Sequence, residues 1–306
     1  ADEHAFDLIY AEIPPNDVAR VCAETACAHN IPFVADVNDL WPEAMRMVVN
    51  IPVVSDVAFY PFARDARRVY ELASAVVGTS DEYAARPMRD REKPCPHLTV
   101  YVGNDLAAFD AGVVAHTSSI DKPEGEFWVT YAGTLGASYD LETLVRAAKI
   151  ASGQMSGLRV KILGDGPDRE RLERAAADAD APVDFLGYTP YDRMAAFLSK
   201  SDLTVNSLVH GAAQSIVTKI GDYLAAGIPL VNTGESPEFC AKVEADGFGV
   251  NVVPGDAAVL ADEIVRLAGH PSSRKIMGAK ARDVAEREFD QAHSYKAIVE
   301  LIRNLL

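Results

Sequence analysis

The chain has 306 residues, 49% hydrophobic and 24% charged, and these ordinary globular values exclude a disordered, collagen-like or disulfide-stapled protein. Its formal net charge of −16 and sequence pI of about 4.8 make nucleic acid and anionic membranes poor bulk partners, because both require a basic surface. At roughly 150 residues per domain, the length predicts two domains.

Short apolar runs alternate with helical patterns along the first part of the chain. Residues 111–126 are polar and contain proline and glycine, so we expect a linker there. The alternation predicts a parallel sheet with helices on both faces before that linker. The predicted strands are 6–10, 32–37, 75–78 and 98–102, and the predicted helices are 17–30 and 60–73.

A second alternating series follows the linker and predicts a second doubly wound α/β domain. Its ligand cleft is expected at the carboxyl ends of the strands. The predicted strands are 127–132, 158–163, 183–186, 203–205, 229–231 and 250–253. The predicted helices are 141–152, 168–179, 191–199, 218–226, 257–268 and 272–306.

Two glycine-containing turns follow strands of the second series. Gly133 and Gly136 flank Thr134, and Gly164 and Gly166 belong to an LGDGP turn that leads into a helix. Glycine lets a backbone approach a ligand closely, and the next helix points free N–H groups toward an anion. Each turn alone is equally consistent with an ordinary connection between a strand and a helix.

Lys219 and Asp222 are three residues apart near the start of a predicted helix, so they share one face of it. The lysine could meet a phosphate and the carboxylate could hold two hydroxyls of a ribose; the alternative is a solvated ion pair. His210 precedes this motif and is a candidate for a ligand-binding loop. The seven histidines form no metal-binding or catalytic-triad pattern, so no metal site is predicted.

A group of polar and aromatic residues follows the predicted strand 32–37. Asp39, Trp41 and Glu43 belong to DVNDLWPE, at the end of the strand that faces ligands in such sheets. We take them as candidates for the acceptor side of a site. The alternative is that Trp41 packs on the sheet and Asp39 caps a turn.

Taken together, the motifs resemble the GT-B glycosyltransferases of the large retaining family four. YAGTLG, ILGDGP, FLGY, SDLTVNSL, KIGDYLAAGIPLV and GVNVVPGD stand in that family's order across residues 126–306. FDLIYAEIPP, PFVADVNDLWPE, AVVGTSDEYAA and VGNDLAAFD resemble the later portion of its N-terminal domain. The resemblance implies two Rossmann-like domains, 1–125 and 126–306, with the last helix a candidate to pack back on the first.

This family transfers a sugar from a nucleotide donor, usually UDP-linked, to an acceptor hydroxyl with retention, generally without a metal or other cofactor. The resemblance implies that Gly133 and Thr134 lie against the diphosphate, that Lys219 neutralises it and that Asp222 holds the ribose. It assigns donor binding to Gly133, Thr134, Gly164, Gly166, Phe185, Gly187, Lys219 and Asp222, and His210 joins them as the loop candidate.

Two positions depart from the family pattern. The first of its two acidic positions falls on Gln214, whose amide can still bind sugar hydroxyls but without a charge-assisted contact. The implied catalytic group is therefore Lys219, Gln214 and Asp222. The Arg/Lys pair that often follows the first glycine turn is missing after Gly136, which leaves Lys219 as the main cation expected at the phosphates.

The family's N-terminal domain normally opens with a glycine-rich unit and further strands before the segment that FDLIY resembles. Judged against domains of ~150–200 residues, roughly 80 residues are absent. We therefore expect an incomplete first domain, in a chain that is either a fragment or the partner of a second chain.

The resulting prediction is a cytoplasmic glycosyltransferase that uses a nucleotide sugar and a sugar or glycolipid acceptor in polysaccharide or glycolipid synthesis. The four cysteines lack CxxC spacing, and the first residues lack the features of a signal peptide. Both observations support the predicted cytoplasmic location. A lipid acceptor would place the chain at the inner face of the membrane, but no apolar or basic stretch for it is evident. The alternatives are a UDP-sugar epimerase and a non-catalytic nucleotide-sugar-binding subunit or scaffold; Gln214 and the short front favour the latter.

Overall fold

The computed structural model of the chain describes residues 6–48, 51–212 and 216–306. The strands are β1 (Ile9–Ile13), β2 (Phe33–Val37), β3 (Ala75–Gly78), β4 (His97–Thr99), β5 (Phe127–Ala132), β6 (Leu158–Leu163), β7 (Val183–Gly187), β8 (Leu203–Asn206), β9 (Leu230–Asn232) and β10 (Gly249–Asn251). The helices are α1 (Asn16–His29), α2 (Glu43–Val48), α3 (Val54–Leu72), α4 (Asp81–Ala85), α5 (Leu106–His116), α6 (Leu141–Ser152), α7 (Arg169–Asp178), α8 (Tyr191–Lys200), α9 (Lys219–Ala225), α10 (Pro237–Asp246), α11 (Ala257–Ala268), α12 (Pro271–Val284) and α13 (Gln291–Leu305). None of the described helices combines the length and apolarity that a membrane span requires.

The chain divides into two compact units. The first consists mainly of the residues up to Val102 together with Ala292–Leu306, and the second of Gly103–Ala212 and Val217–Gln291. The domain boundary predicted from the sequence lies at 125/126, whereas residues 103–125 lie in the second unit. The last helix, α13, contributes most of its length to the first unit.

The first unit contains a parallel sheet in the order β1-β2-β3-β4. Side chains alternate between the two faces of a strand, and β2 shows this directly. Phe33 and Val37 face a core shared with α1 and α3, whereas Val34 faces a second cluster. That second cluster includes Ile298 and Leu301 of α13. Both faces of the sheet are therefore covered within the unit.

The second unit contains a parallel sheet in the order β10-β9-β8-β5-β6-β7. All six residues of β5 are buried, as expected for a central strand of a sheet covered on both faces. The strands run outward from β5 through β6 and β7, and then the chain returns to place β8 on the other side of β5. Ligands of open α/β sheets bind at such a reversal, beyond the carboxyl ends of the strands.

Helix α5 occupies part of the segment for which the sequence analysis expected a linker, so that prediction is wrong for residues 111–116. The Asp105 carboxylate caps the helix by accepting a hydrogen bond from the Ala108 N–H at 2.9 Å. The Phe109 ring packs edge-on against Tyr191 of α8, with 6.4 Å between the centroids. The linker was predicted from the polar residues, proline and glycine that follow the helix. Helix α5 itself was missed because it has apolar residues all around it and lacks the one-sided period that identifies a helix.

Gly112 lets α5 approach the backbone of α8 closely, so a larger residue at this position should destabilise the protein. A methyl group at position 112 would lie 2.7 Å from both the Cα and the carbonyl oxygen of Asp192. We expect Gly112→Ala to lower the free energy of unfolding by about 1–3 kcal/mol, although alanine normally favours a helix interior by roughly 1 kcal/mol. Urea unfolding measures this, with the exposed Val114→Ala of the same helix as control. Equal stability of Gly112→Ala and parent would contradict the close packing.

Candidate functional site

A cavity of about 330 Å³ lies at the carboxyl ends of β5, β6 and β7. Three predicted donor residues, Gly133, Thr134 and Gly164, line it together. Tyr188 and Thr189, which were not among the predicted site residues, also line it; their position directly after β7 is the signal that could have identified them. The full lining is Ala132, Gly133, Thr134, Leu163, Gly164, Asp165, Tyr188, Thr189 and Met194.

The two predicted glycine turns pack directly against each other. Gly133 has φ +152° and Gly164 has φ +132°, conformations that residues with a Cβ rarely adopt. A methyl group at Gly164 would lie 1.9 Å from the Gly133 carbonyl oxygen, and one at Gly166 would lie 2.3 Å from the carbonyl oxygen of Leu135. The glycines are therefore needed for contact between the turns, which the sequence analysis left open as the alternative to ligand contact.

Hydrogen bonds within the unit already use two of the glycine N–H groups. Gly133 donates to the Leu163 carbonyl at 2.9 Å, and Gly164 donates to the Gly187 carbonyl at 2.8 Å. These two N–H groups hold the turns together, so an anion in the cavity would meet other donors. Thr134, the next residue after Gly133, lines the cavity.

The remaining predicted residues near β7 lie around the cavity rather than in its lining. Phe185 packs its side chain against the main hydrophobic core of the unit. Gly187 has φ +72° and contributes its carbonyl oxygen to the Gly164 N–H. Phe185 and Gly187 therefore support the turns that form the cavity wall.

Lys219 is buried beside this wall, with 9% of its surface exposed. Its Nζ donates a hydrogen bond to the Tyr131 hydroxyl at 2.8 Å and lies 3.7 Å from the centroid of the Tyr139 ring. A methyl group at Gly133 would lie 2.8 Å from the same Nζ, which places the ammonium directly against the glycine turn. Among the described residues no carboxylate lies within ion-pair distance of Lys219, so the predicted alternative of an ion pair with Asp222 is wrong.

Burial lowers the pKa of the Lys219 ammonium well below its ordinary value of 10.5. A buried cation without a carboxylate partner is costly, and contact with two aromatic rings offsets only part of that cost. An anion bound next to the Gly133 turn would relieve it.

The lowered pKa predicts how stability depends on pH. The unfolded chain binds the Lys219 proton more tightly than the folded protein does. Burial of the charged ammonium therefore lowers the free energy of unfolding by its full amount below the pKa of the folded state, and this loss disappears as the pH approaches 10.5. The free energy of unfolding should therefore rise with pH more steeply in the parent than in Lys219→Met. Urea unfolding between about pH 6 and about pH 9.5 should show the difference between the two proteins shrinking. A difference independent of pH would contradict the assignment.

Asp222 lies one turn after Lys219 on α9, and two donors from its own unit hold its carboxylate. The Tyr191 hydroxyl donates to its Oδ1 at 2.9 Å, and Asn104 Nδ2 donates to the same oxygen at 3.0 Å. Burial raises the pKa of Asp222, and these two hydrogen bonds oppose the rise. The carboxylate is therefore fixed in orientation by α8 and by the segment that precedes α5.

Gln214 and His210 are the two other residues that the sequence predicted for the site. Gln214 lies outside the residues that the structure describes. His210 has an 84% exposed side chain, and its Nδ1 lies 3.0 Å from the carboxylate of Glu235. His210 therefore contacts Glu235, which lies three residues after the end of β9.

The predicted acceptor residues of the first unit form contacts with one another and with their surroundings. Asp39 accepts hydrogen bonds from the Leu40 N–H at 2.8 Å and from the Trp41 indole at 3.2 Å. The Trp41 ring packs edge-on against Phe62, and Glu43 accepts from the Arg86 guanidinium at 2.6 Å. Asp39 thus has the turn contact that was the alternative to an acceptor role, whereas Trp41 packs on helix α3 and not on the sheet as that alternative supposed.

Within residues 6–48, 51–212 and 216–306, no group of three or more His, Cys, Asp or Glu side chains is arranged to hold a metal ion.

Residues 126–270 match the model of the family described as glycosyl transferases group 1. Amylovoran biosynthesis glycosyltransferase AmsK of Erwinia amylovora is 26% identical over 172 residues, which cover 54% of this chain and 42% of that protein. The putative colanic acid biosynthesis glycosyl transferase WcaI of Escherichia coli is 26% identical over 200 residues, covering 63% and 47%. The chain thus spans about half the length of these curated relatives.

Solved structures of the same fold cover nearly the whole chain. Anabaena Alr3699/HepE in complex with UDP superposes with a TM-score of 0.77 at 17% identity, covering 98% of this chain and 79% of that one. Sucrose-phosphate synthase from Thermosynechococcus elongatus gives 0.75 at 18% identity, covering 99% and 74%. At such identities the likeness concerns the fold, which is the predicted GT-B fold with two Rossmann-like domains.

Proposed function

We propose that this chain, whose residues 126–270 match the family model of glycosyl transferases group 1, transfers a sugar from a nucleotide donor to an acceptor hydroxyl. UDP is the proposed carrier, because the similar Anabaena structures contain UDP and UDP-glucose. The proposed product is a surface polysaccharide or glycolipid, since the relatives are named for the synthesis of amylovoran, colanic acid and lipopolysaccharide core.

The observation that carries this proposal is the buried ammonium of Lys219 against the turn at Gly133. The turn follows the central strand β5 and lines a cavity where sheets of this kind bind ligands. A lysine buried without a carboxylate partner is suited to a ligand that brings its own negative charge, such as a diphosphate. The proposed donor site therefore lies wholly within the second unit.

Glycosyl transfer from such a donor requires stabilisation of a departing diphosphate and of positive charge developing on the sugar. Lys219 would offset the charge on the leaving diphosphate, and the surrounding tyrosines exclude water and strengthen that interaction. We propose a front-face, retaining reaction in which the leaving group stays beside the acceptor hydroxyl. No step of this proposal requires a metal ion.

Asp222 would accept hydrogen bonds from the ribose hydroxyls. Its carboxylate is already oriented by Tyr191 and Asn104, so little conformational entropy would be lost on binding. Gln214, at the family's first acidic position, would hydrogen-bond the donor sugar through its amide. The residues Asp39, Trp41 and Glu43 would form a rigid part of the acceptor side, since their polar atoms are held by neighbouring groups.

The second candidate function is a nucleotide-sugar-binding subunit that does not catalyse transfer alone. Gln214 favours it, because an amide replaces a carboxylate at a position that grips the donor sugar in the family. This chain would then require a second chain or a further segment for activity.

Thermal unfolding with UDP, GDP and ADP, followed by assays of donor hydrolysis and transfer, separates the candidates. At a hundredfold excess over Kd, UDP should raise the midpoint by about 5–10 °C. Stabilisation with turnover supports the transferase, and stabilisation without turnover supports the binding subunit. If none of the three nucleotides stabilises the protein, the donor site is not where we place it.

A further inference from the structure

The two hydrogen bonds that hold the Asp222 carboxylate both end on the same oxygen. The Tyr191 hydroxyl lies 2.9 Å and the Asn104 Nδ2 lies 3.0 Å from Oδ1, whereas no described residue donates to Oδ2. A carboxylate oxygen has about two lone-pair positions, so these two donors occupy those of Oδ1. Because Asp222 is only partly buried, Oδ2 is the oxygen that remains for a ligand.

Asn104 is held firmly in the position from which it donates to Asp222. Its N–H donates to the Phe289 carbonyl at 2.9 Å, and its own carbonyl accepts from the Gln291 N–H at 3.1 Å. Its side chain packs on α9, since a methyl group at Gly221 would lie 3.6 Å from its Cγ. With both backbone groups bonded and 8% of its surface exposed, Asn104 has little freedom to release Oδ1.

Tyr191, the first residue of α8, is a second fixed donor. Its ring packs edge-on against Phe109, with 6.4 Å between the centroids. Burial and the neighbouring Asp222 carboxylate raise the pKa of Tyr191 above its ordinary value of 10, so the hydroxyl keeps its proton at neutral pH. Both donors to Oδ1 are therefore in place before any ligand arrives.

This asymmetry matters for a ribose, whose 2′- and 3′-hydroxyls are neighbours on one side of the ring. A carboxylate holds such a pair best when each hydroxyl donates to a different oxygen, and Asp222 offers only Oδ2. We propose that Tyr191 and Asn104 are positioning residues that reserve Oδ1, so that Asp222 binds a single ribose hydroxyl. The proposal rests on the nucleotide-binding function proposed above and narrows its ribose contact from two hydroxyls to one.

Calorimetric titration of the parent with UDP, 2′-deoxy-UDP and 3′-deoxy-UDP tests the selectivity directly, because each analogue lacks one hydroxyl. One analogue should bind about tenfold or more weakly than UDP, since it loses a hydrogen bond to a charged acceptor. The other should lose less than about threefold, since its missing hydroxyl has no carboxylate oxygen of its own.

Tyr191→Phe tests the role of the positioning residues, because it removes the hydroxyl and keeps the ring that packs on Phe109. Oδ1 then has a free lone pair for the second hydroxyl, so the ratio of the two analogue Kd values should fall by about threefold or more. Asn104→Ala should change the ratio in the same direction. A merely structural role would weaken both analogues equally and leave the ratio unchanged.

The matched control is Tyr10→Phe in the first unit. It also removes a tyrosine hydroxyl that donates to a carboxylate at 2.9 Å, in this case that of Asp36, and it should leave the ratio at the parent value. Equal losses for the two analogues in a parent that binds UDP would overturn the proposal while leaving the nucleotide site standing. It is likewise overturned if neither Tyr191→Phe nor Asn104→Ala differs in ratio from the control. A parent that binds no UDP would overturn the nucleotide site itself and this proposal with it.

Discussion

Lys219→Met is expected to abolish stabilisation by UDP while making the nucleotide-free protein more stable. Lys219 is 9% exposed and its ammonium lies on two tyrosine rings, so its removal relieves a buried charge that no described carboxylate compensates. We expect a gain of about 1–3 kcal/mol in the free energy of unfolding at neutral pH. UDP should bind about 100-fold more weakly, since a charge-assisted contact with the diphosphate is lost. Uridine should lose less than about threefold.

The matched control for this experiment is Lys161→Met. Lys161 is also a largely buried lysine of the second unit, with 12% of its side chain exposed, but its Nζ lies 2.8 Å from the Asp184 carboxylate. Its loss should lower stability by about 1 kcal/mol and leave UDP binding unchanged. Calorimetric titration and urea unfolding measure both quantities. Equal losses of UDP and uridine in Lys219→Met would show that Lys219 does not bind the diphosphate.

Gly164→Ala is expected to destabilise the second unit by about 3–5 kcal/mol and to disrupt the cavity. The new methyl group would lie 1.9 Å from the Gly133 carbonyl, and φ is +132° at this position. The two glycine turns would have to separate, and the wall of the cavity would move with them. Urea unfolding and UDP titration on the same sample would report both effects.

Two further glycines of the second unit separate backbone strain from steric contact. Gly255 has φ +78° with no atom within 4 Å of an added methyl group, so Gly255→Ala should cost only about 1 kcal/mol. At Gly136 the nearest such atom is Thr134 Cγ2 at 3.8 Å, so Gly136→Ala should change stability by less than about 0.5 kcal/mol. If Gly164→Ala costs no more than Gly255→Ala, contact between the turns is not what requires glycine.

The sequence pattern alone identified the strands and helices whose side chains are buried in a regular way along the element. Phe127–Ala132 and Leu158–Leu163 have the predicted bounds: the first is buried throughout and reads as a nearly continuous apolar run, and the second alternates apolar residues with Arg159 and Lys161. Helix α10, at Pro237–Asp246, was not predicted, although Ser236 caps it and Gly247 ends it at φ +67°. Those capping residues were a usable signal. Strand β1 begins three residues later than predicted, since Phe6 is 71% exposed and takes no part in it.

In the candidate site, too, the sequence pattern predicted individual residues but not their partners in space. The motifs located Gly133, Gly164 and Lys219, and the structure brings all three to one wall. The sequence pattern could not identify the partners of Lys219, because Tyr131 and Tyr139 lie 88 and 80 positions earlier in the chain and meet it only through the fold. For the same reason it could not show that Asn104 and Tyr191 hold Asp222.

The placement of α13 has a consequence for biosynthesis. Ile298, Leu301 and Leu305 cover one face of a sheet whose strands all precede Val102, so roughly 190 residues are translated between that sheet and its cover. At about 5–20 residues per second, the nascent sheet would wait on the order of 10–40 s with that face open. The second unit, which needs nothing after Gln291, can fold first on the ribosome. During that interval the exposed face is where a chaperone would bind, and a stalled or prematurely terminated chain would aggregate through the same surface.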